Sequence, residues 1–369
     1  MRVVMVCPYD LSRPGGVQGQ AVGLARALRR SGHEVAVVAP GPTTRGDAPF
    51  DGTHRVGGSV RVRSNGSVAP VAVSPMAARR VARLVGASGA DVVHLHEPLA
   101  PVAGYACLLA PAAPLVGTYH RSGSSRWYRA LGPVVRWADG RLDVRVAVSE
   151  AAAATAAAST GRDYEVAFNG VEVDRFADAL PHQTDVPTVL FLGRHEERKG
   201  LGVLLDAFGR IGVPARLWVA GDGPGTAELR RRWPESERIT WLGLIDDDEV
   251  ARRLAGAHVL CAPSLRGESF GMVLLEAMAA RCTVVASDLP GYRDAAGGHA
   301  VLVAPGDPDA LARALTGALV EVAEGDPSRA DRLGAALVHA EAWSMDRLAA
   351  RYQEFYAAAA AHRGRRADG

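Results

Sequence analysis

Thr188-Val189-Leu190-Phe191-Leu192, followed by Gly193-Arg194-His195-Glu196-Glu197-Arg198-Lys199-Gly200, is where the chain begins a second time. The apolar run reads as a strand buried on both faces, and the glycine-bounded polar run as the loop leaving its carboxyl end. Further strands are expected at residues 217–220, 239–242, 259–262 and 283–286, with helical segments between them. The first half carries the same alternation. Its strands are expected at 3–7, 34–39, 91–95, 115–118 and 144–148, with helices at 16–30 and 77–85 and an alanine-rich one at 151–158. Such alternation makes parallel sheets covered by helices on both faces. The two series part near residues 168–187, where 181–187 has a proline at each end and reads as a linker. The expected fold is therefore α/β, with two Rossmann-like, doubly wound domains. Ligands of such sheets bind outside the carboxyl ends of the strands. The site is accordingly expected in a cleft that the two domains face.

Size and composition narrow the possibilities. A chain of 369 residues exceeds one compact core. Hydrophobic content of 48% and charged content of 22% are those of a soluble globular protein. A net charge of +2 argues against nucleic acid as a partner. Cys7, Cys107, Cys261 and Cys282 lack metal-ligand spacing and read as buried, reduced thiols of a cytoplasmic protein. The apolar run that stops at Pro8 is too short for a signal peptide. No stretch reaches the roughly 18 apolar residues of a membrane span, so any membrane contact is peripheral.

Four motifs carry chemistry. Lys199 is the only lysine among 42 basic residues. A compact ammonium, kept where arginine serves everywhere else, suggests a confined point charge for phosphate. With Arg194 it can bracket a diphosphate and neutralise the charge that builds on it when a bond breaks. Pro14-Gly15-Gly16-Val17-Gln18 offers backbone N–H groups to an anion at a helix start. It is not the dinucleotide fingerprint, and no acidic residue follows the second strand at Ala39-Pro40-Gly41, which discounts a nicotinamide enzyme. Glu268-Ser269-Phe270-Gly271-Met272-Val273-Leu274-Leu275-Glu276 holds two glutamates eight positions apart, the first in a loop and the second about two turns into a helix. The Phe270, Gly271, Met272 and Val273 amides lie near that helix start. Carboxylates on both flanks of an anion site suit hydroxyls, one sugar on each side of a diphosphate. Gly117-Thr118-Tyr119-His120 ends a strand with a histidine facing the expected site. His94 and His96 lack a third ligand at metal-binding spacing and read as structural or substrate-lining. No divalent metal is expected in the site, since Asp246-Asp247-Asp248 reads as a turn and helix start.

These residues together resemble the retaining glycosyltransferases of family 4, which have the GT-B fold. The similar segments are Met5 to Tyr9, Pro14 to Gln18, Asn65-Gly66-Ser67-Val68-Ala69, His94-Leu95-His96-Glu97-Pro98, Ala262-Pro263 with Gly267 to Gly271, and Glu276 to Ala280. Within the family they are most similar to the actinobacterial subgroup that mannosylates phosphatidylinositol. The resemblance implies that a hexose, mannose from GDP-mannose, moves to a polyol or lipid acceptor such as phosphatidylinositol. It implies an acceptor domain of residues 1–167 plus 347–369, whose final helix crosses back to it, and a nucleotide-sugar domain of residues 168–346. Glu268 would hold donor-sugar hydroxyls and Glu276 the ribose. Arg194, Lys199, Gly16 and the Met272 and Val273 amides would hold the diphosphate. Ile245 and Asp247 fall in the base-recognition loop, where a carboxylate can accept the paired N–H donors of guanine. His120 would sit beside the reacting sugar, and Tyr9, Gln18, Asn65 and Ser67 would hold the acceptor. Ser64 and Pro70 stand where the subgroup has tyrosine and arginine. A family 4 transferase with another nucleotide sugar and a different lipid or small-metabolite acceptor is the second reading. A non-catalytic nucleotide-sugar-binding protein is the third.

Two segments suit an anionic membrane surface. Arg79, Arg80 and Arg83 share a helical face, with Met76, Val81, Leu84 and Val85 expected to be buried. Arg121, Arg126, Arg129 and Arg136 interleave with Trp127, Tyr128 and Trp137. Cations with interfacial aromatics favour anionic headgroups. The expected location is the cytoplasm, peripheral on the inner face of the plasma membrane. Oligomeric state has no signature in the chain.

Overall fold

The structure, a computed structural model, describes residues 1–12, 15–41, 50–64, 67–121, 131–268 and 270–367, with side chains described except at 61–64, 67–69 and 365–367. The chain forms two compact units, Met1–Gly170 with Met345–Gly369, and Val171–Ser344.

The first unit contains β1 (Arg2–Val6), β2 (Glu34–Ala39), β3 (Thr53–Arg55), β4 (Val60–Ser64), β5 (Ser67–Val71), β6 (Val92–His96), β7 (Leu115–Tyr119), β8 (Val144–Ala147) and β9 (Glu165–Val166). Seven of them form one sheet in the order β3-β2-β1-β6-β7-β8-β9, every neighbouring pair parallel. Both faces are covered, which explains the unbroken apolar runs. Val3, Met5 and Cys7 point into one core, and Val4 and Val6 into the other. The first core is closed by the Gly16–Arg30 and Met345–Ala367 helices. On the second, Met345, Ala349, Tyr352, Tyr356 and Ala359 are buried at alternating spacings of four and three, one stripe of a helix. Gly23 faces that stripe, and a Cβ there would stand 2.7 Å from the Met345 methyl carbon.

The closing helix also carries polar contacts into the core. The Tyr356 hydroxyl lies 2.9 Å from His94 Nδ1, and the Tyr352 hydroxyl 2.7 Å from Thr118 Oγ1. Thr118 Oγ1 in turn lies 2.7 Å from His94 Nε2. Pairing of this kind offsets the cost of burying polar atoms.

The antiparallel β4–β5 hairpin is inserted outside the sheet. It is tied to the loop after β1: the Asp10 N–H donates to the Pro70 carbonyl at 3.0 Å, and Tyr9 bridges Val71. The buried Asp10 carboxylate gathers the Ser12 N–H, the Ser12 hydroxyl and the Ser59 hydroxyl at 3.0, 2.6 and 2.7 Å.

The second unit contains β10 (Thr188–Leu192), β11 (Arg216–Ala220), β12 (Ile239–Gly243), β13 (Val259–Ala262), β14 (Thr283–Ser287) and β15 (Val301–Val303). Its parallel sheet runs β12-β11-β10-β13-β14-β15, the dinucleotide-fold order, with the direction of winding reversed between β10 and β13. In the first sheet the reversal falls between β1 and β6. Residues 181–187 are not a free linker but pack on this unit. The His182 N–H donates to the Arg252 carbonyl at 2.9 Å, its ring meets Trp218 edge-on at 5.3 Å, and Asp185 pairs with Arg216 at 2.8 Å.

Tyr356→Phe would leave His94 Nδ1 unpaired in a dry core, a loss of about 1–3 kcal/mol. Native-state hydrogen exchange should show faster opening of β6 and β7 amides, with β10 and β13 amides unchanged.

Candidate active site

The loops that leave β10 and β13, neighbours at the winding reversal, are stitched together. Gly200 adopts φ +70°, and a Cβ there would stand 1.9 Å from the Pro263 carbonyl oxygen. The Leu265 N–H donates to the Arg198 carbonyl at 2.7 Å. Glycine alone allows that approach, and the turn Glu197–Lys199 is thereby laid against the loop holding Glu268. Behind it, buried His195 braces the strand end. Its Nδ1 lies 2.8 Å from Thr226 Oγ1, and its backbone bonds to Asp222 and Gly225.

The result is an alternating chain of charge. Arg194 Nη2 lies 3.1 Å from Glu196 Oε1, and Arg198 Nε 2.9 Å from Glu196 Oε2. Arg198 Nη1 and Lys199 Nζ reach Glu268 Oε1 at 3.2 and 2.7 Å. The Ser264 hydroxyl donates to the same oxygen at 2.9 Å and lies 3.0 Å from the Tyr292 hydroxyl. Three cations meet two carboxylates, so the network keeps one excess positive charge. Glu268 is 11% exposed, Lys199 23% and Arg194 49%, which leaves the arginine most open to solvent.

Gly271 precedes the Met272–Ala279 helix at φ +98°, where a Cβ would stand 2.5 Å from the Tyr292 ring. Phe270 is buried against Trp343 at 4.8 Å and anchors the loop. Met272 and Val273 are half-buried in the first turn.

Glu276 lies farther along that helix in a different field. Burial pushes its carboxyl up to about 7; Arg175 opposes the shift, and Asp247 and Glu172 reinforce it. Arg175 Nη1 lies 3.7 Å from Glu172 and 3.8 Å from Asp247, at ion-pair rather than hydrogen-bond range. Three carboxylates thus share one arginine, an acceptor-rich environment suited to hydroxyl or N–H donors. Ile245 is half-buried and Leu244 is 77% exposed ahead of the Asp247–Gly256 helix, which Asp246 caps through the Glu249 N–H.

The first unit places His120 just after β7. Its N–H donates to Glu97 Oε1 at 2.8 Å, and its Nε2 lies 2.9 Å from His96 Nδ1. Glu97 is buried at φ +47°, and burial pushes its carboxyl up to about 7. Burial pushes the His94 and His120 imidazoles down to about 3, and His96 well below its ordinary value. All three rings are neutral at pH 7. Gly16 opens the first helix, and Gln18 folds back so that its amide reaches the Asp10 carbonyl at 3.5 Å. Asn65 lies outside the described residues, and Ser67 is placed in β5 by its backbone alone. Among the described residues no group of three His, Cys, Asp or Glu side chains could hold a metal ion.

Sequence reasoning passed over Arg198, Ser264, Glu196, Arg175, Glu172 and Glu97. Arg198 and Glu97 were signalled by their motifs, being adjacent to Lys199 and His96. Ser264 and Arg175 gave no such signal, because their roles depend on which loops the fold brings together.

Residues 14–175 match Glycosyltransferase Family 4, and residues 186–320 match the Glycosyl transferases group 1. The chain is 39% identical over 361 residues to a phosphatidyl-myo-inositol mannosyltransferase of Mycolicibacterium smegmatis, covering 94% of this chain and 91% of that protein. It is 38% identical over 343 residues to the protein of that description from Mycobacterium tuberculosis H37Rv, covering 89% of each. Its fold is similar to that of Anabaena HepE, solved with UDP and glucose, at TM-score 0.71 and 17% identity over 97% of this chain and 99% of that one.

Glu276 also governs a stability term. Its folded carboxyl titrates near 7 and its ordinary value is 4.5, so between those values the folded protein holds a proton that the unfolded chain has released. That contribution is full below about 4.5 and is lost as pH rises through 7. Glu276→Gln should therefore melt several degrees above wild type at pH 8, with the gap closing toward pH 5 in paired thermal scans.

Proposed function

The chain belongs to the family 4 and group 1 glycosyltransferases, and on that premise we propose that it transfers mannose from GDP-mannose, with retention at the anomeric carbon, to the inositol head group of phosphatidylinositol. The observation that carries the reading is the Lys199–Glu268 pair at 2.7 Å inside a net-positive network at the winding reversal of the second sheet. A cation for phosphate and a carboxylate for sugar hydroxyls stand side by side there, as a nucleotide sugar requires. The relatives in Mycolicibacterium and Mycobacterium, named for mannosyl transfer to phosphatidyl-myo-inositol, support the acceptor.

In this mechanism Lys199, Arg194 and the Met272 and Val273 amides hold the diphosphate and meet the charge that develops on it as the anomeric C–O bond breaks. Gly16, at the first position of its helix, leaves room for an anion to meet backbone N–H groups. Glu268 accepts hydroxyl protons of the sugar, and Glu276 those of the ribose. Asp247 accepts from guanine, with Ile245 against the base. The inositol hydroxyl attacks on the face the diphosphate leaves, and its proton passes to a phosphate oxygen. His120 orients the sugar, while Tyr9, Gln18, Asn65 and Ser67 hold the acceptor.

The lipid acceptor requires a surface. On the Pro75–Ala87 helix, Ala77, Val81 and Val85 are buried, whereas Met76 is 63% exposed beside exposed Arg79, Arg80 and Arg83. Met76 was expected in the core. The helix starts early enough to turn it outward, where it adds an apolar contact to a cationic face. On the Gly132–Asp139 helix, Val134 and Trp137 are 45% and 43% exposed beside Arg136. Arg126, Trp127, Tyr128 and Arg129 lie outside the described residues. We assign both helices to an anionic membrane surface. No described helix is long and apolar enough to cross a membrane.

Ser64 and Pro70, at the hairpin, favour as second reading a family 4 transfer to a different lipid or a small polyol. Radiolabelled GDP-mannose with phosphatidylinositol vesicles distinguishes them. Solvent-extractable label that requires phosphatidylinositol is expected. Label found only on free inositol, or none with this donor while another nucleotide sugar turns over, would overturn the first reading. Lys199→Ala should lower kcat at saturating donor by about a hundredfold or more, and undiminished turnover would remove Lys199 from the mechanism.

A further inference from the structure

Four rings stand in file in the first unit. Tyr352 lies 4.8 Å from His94, His94 lies 4.4 Å from His96, and His96 lies 5.2 Å from His120, each pair within 28° of parallel. The file starts on the closing helix and ends on the histidine that the proposed mechanism sets beside the sugar.

Its hydrogen bonds are unevenly distributed. His94 uses both ring nitrogens, one with Tyr356 and one with Thr118. His96 uses only Nδ1, toward His120 Nε2 at 2.9 Å. The residue is 3% exposed, and its Nε2 is buried with no partner. Both rings are neutral, so a single proton lies in the contact between them. If His120 Nε2 supplied it, His96 would carry its own proton on Nε2, an unpaired N–H in the core. If His96 Nδ1 supplies it, His96 Nε2 keeps only a lone pair. His120, accepting at Nε2, must then carry its proton on Nδ1. An orphaned buried N–H is the rarer and costlier outcome, which selects the second arrangement.

We propose that His96 is a positioning residue that locks His120 as the Nδ1–H tautomer, so that His120 meets the substrate as a hydrogen-bond donor and not as a proton acceptor. This rests on the reading of His120 given above and deepens it. The balance of the transfer follows. The donor C–O bond to phosphate breaks, the C–O bond to the acceptor forms, and the acceptor proton goes to a phosphate oxygen because His120 has no free lone pair to take it. Glu97 holds the His120 backbone N–H rather than its ring, so it does not compete for the tautomer.

Three substitutions separate position from bulk. His96→Phe keeps a ring in the stack without a polar atom. His96→Asn keeps a donor where Nδ1 stands, and His96→Gln moves it outward. In protein selectively labelled with 15N-histidine, long-range 1H–15N spectra should show His120, assigned by its loss in His120→Asn, as Nδ1–H in the wild type and as mixed tautomers in His96→Phe. Turnover of GDP-mannose should fall about tenfold or more in kcat for the Phe and Gln variants at unchanged donor KM, with Asn close to wild type. An Nε2–H tautomer in wild-type protein, an unaltered tautomer in His96→Phe, or equal losses in Asn and Phe would overturn the proposal. Wild-type turnover by His120→Asn would instead sink the catalytic reading of His120 and leave the tautomer result standing. Should the Phe variant fail to fold, the wild-type spectrum still decides.

Discussion

The Pro263 carbonyl stands where a side chain at position 200 would be, 1.9 Å from that absent atom, and the chemistry of the second unit follows from this contact. Gly200 closes a turn so tight that the preceding residue must point across to the neighbouring loop. Lys199, on its flexible stem, brings a compact ammonium to 2.7 Å from Glu268 Oε1, beside the Arg198 guanidinium at 3.2 Å. The contact exists because β10 and β13 are adjacent although residues 193–258 separate them in sequence. Their connections leave on opposite sides of the sheet, so the space above their carboxyl ends stays open.

The two glutamates of one motif illustrate how environment assigns roles to identical groups. Glu268 has two cations and a hydroxyl directed at one oxygen. Glu276, eight positions on, shares a single arginine with two further acids. The first is poised as a charged partner. The second is held at a cost in stability that hydroxyl donors of the proposed nucleotide sugar would relieve.

The strands were legible because both faces of each sheet are covered. Val3 to Cys7 and Thr188 to Leu192 are unbroken apolar runs that allow little else. The spacing of Glu268 and Glu276 and the isolation of Lys199 drew attention to the residues around which the charged networks form. Arg198 bonding Glu268 across 70 positions was not legible, since it requires knowing which strand lies beside which. The prolines at 181 and 187 suggested a spacer, but the His182 backbone and ring find partners in the second unit. Met76 failed by the start of its helix. Counting from Pro75, the buried stripe is Ala77, Val81 and Val85, and Met76 falls outside it. The hairpin of β4 and β5 escaped notice although alternating valines and arginines at 60–63 lead into Asn65-Gly66, a common turn dipeptide.

The closing helix has a consequence for biosynthesis. One face of the first sheet, with Met5, Val37, Val92 and Val116, is sealed by Tyr352, Phe355, Tyr356 and Ala359. A ribosome delivers those residues only after the whole of Val171–Ser344 has emerged. At about 5–20 residues per second the nascent sheet stands incomplete for roughly ten to forty seconds. The part translated first is therefore finished last, and during that interval the Gly16–Arg30 helix alone covers an apolar side that the final helix has yet to close.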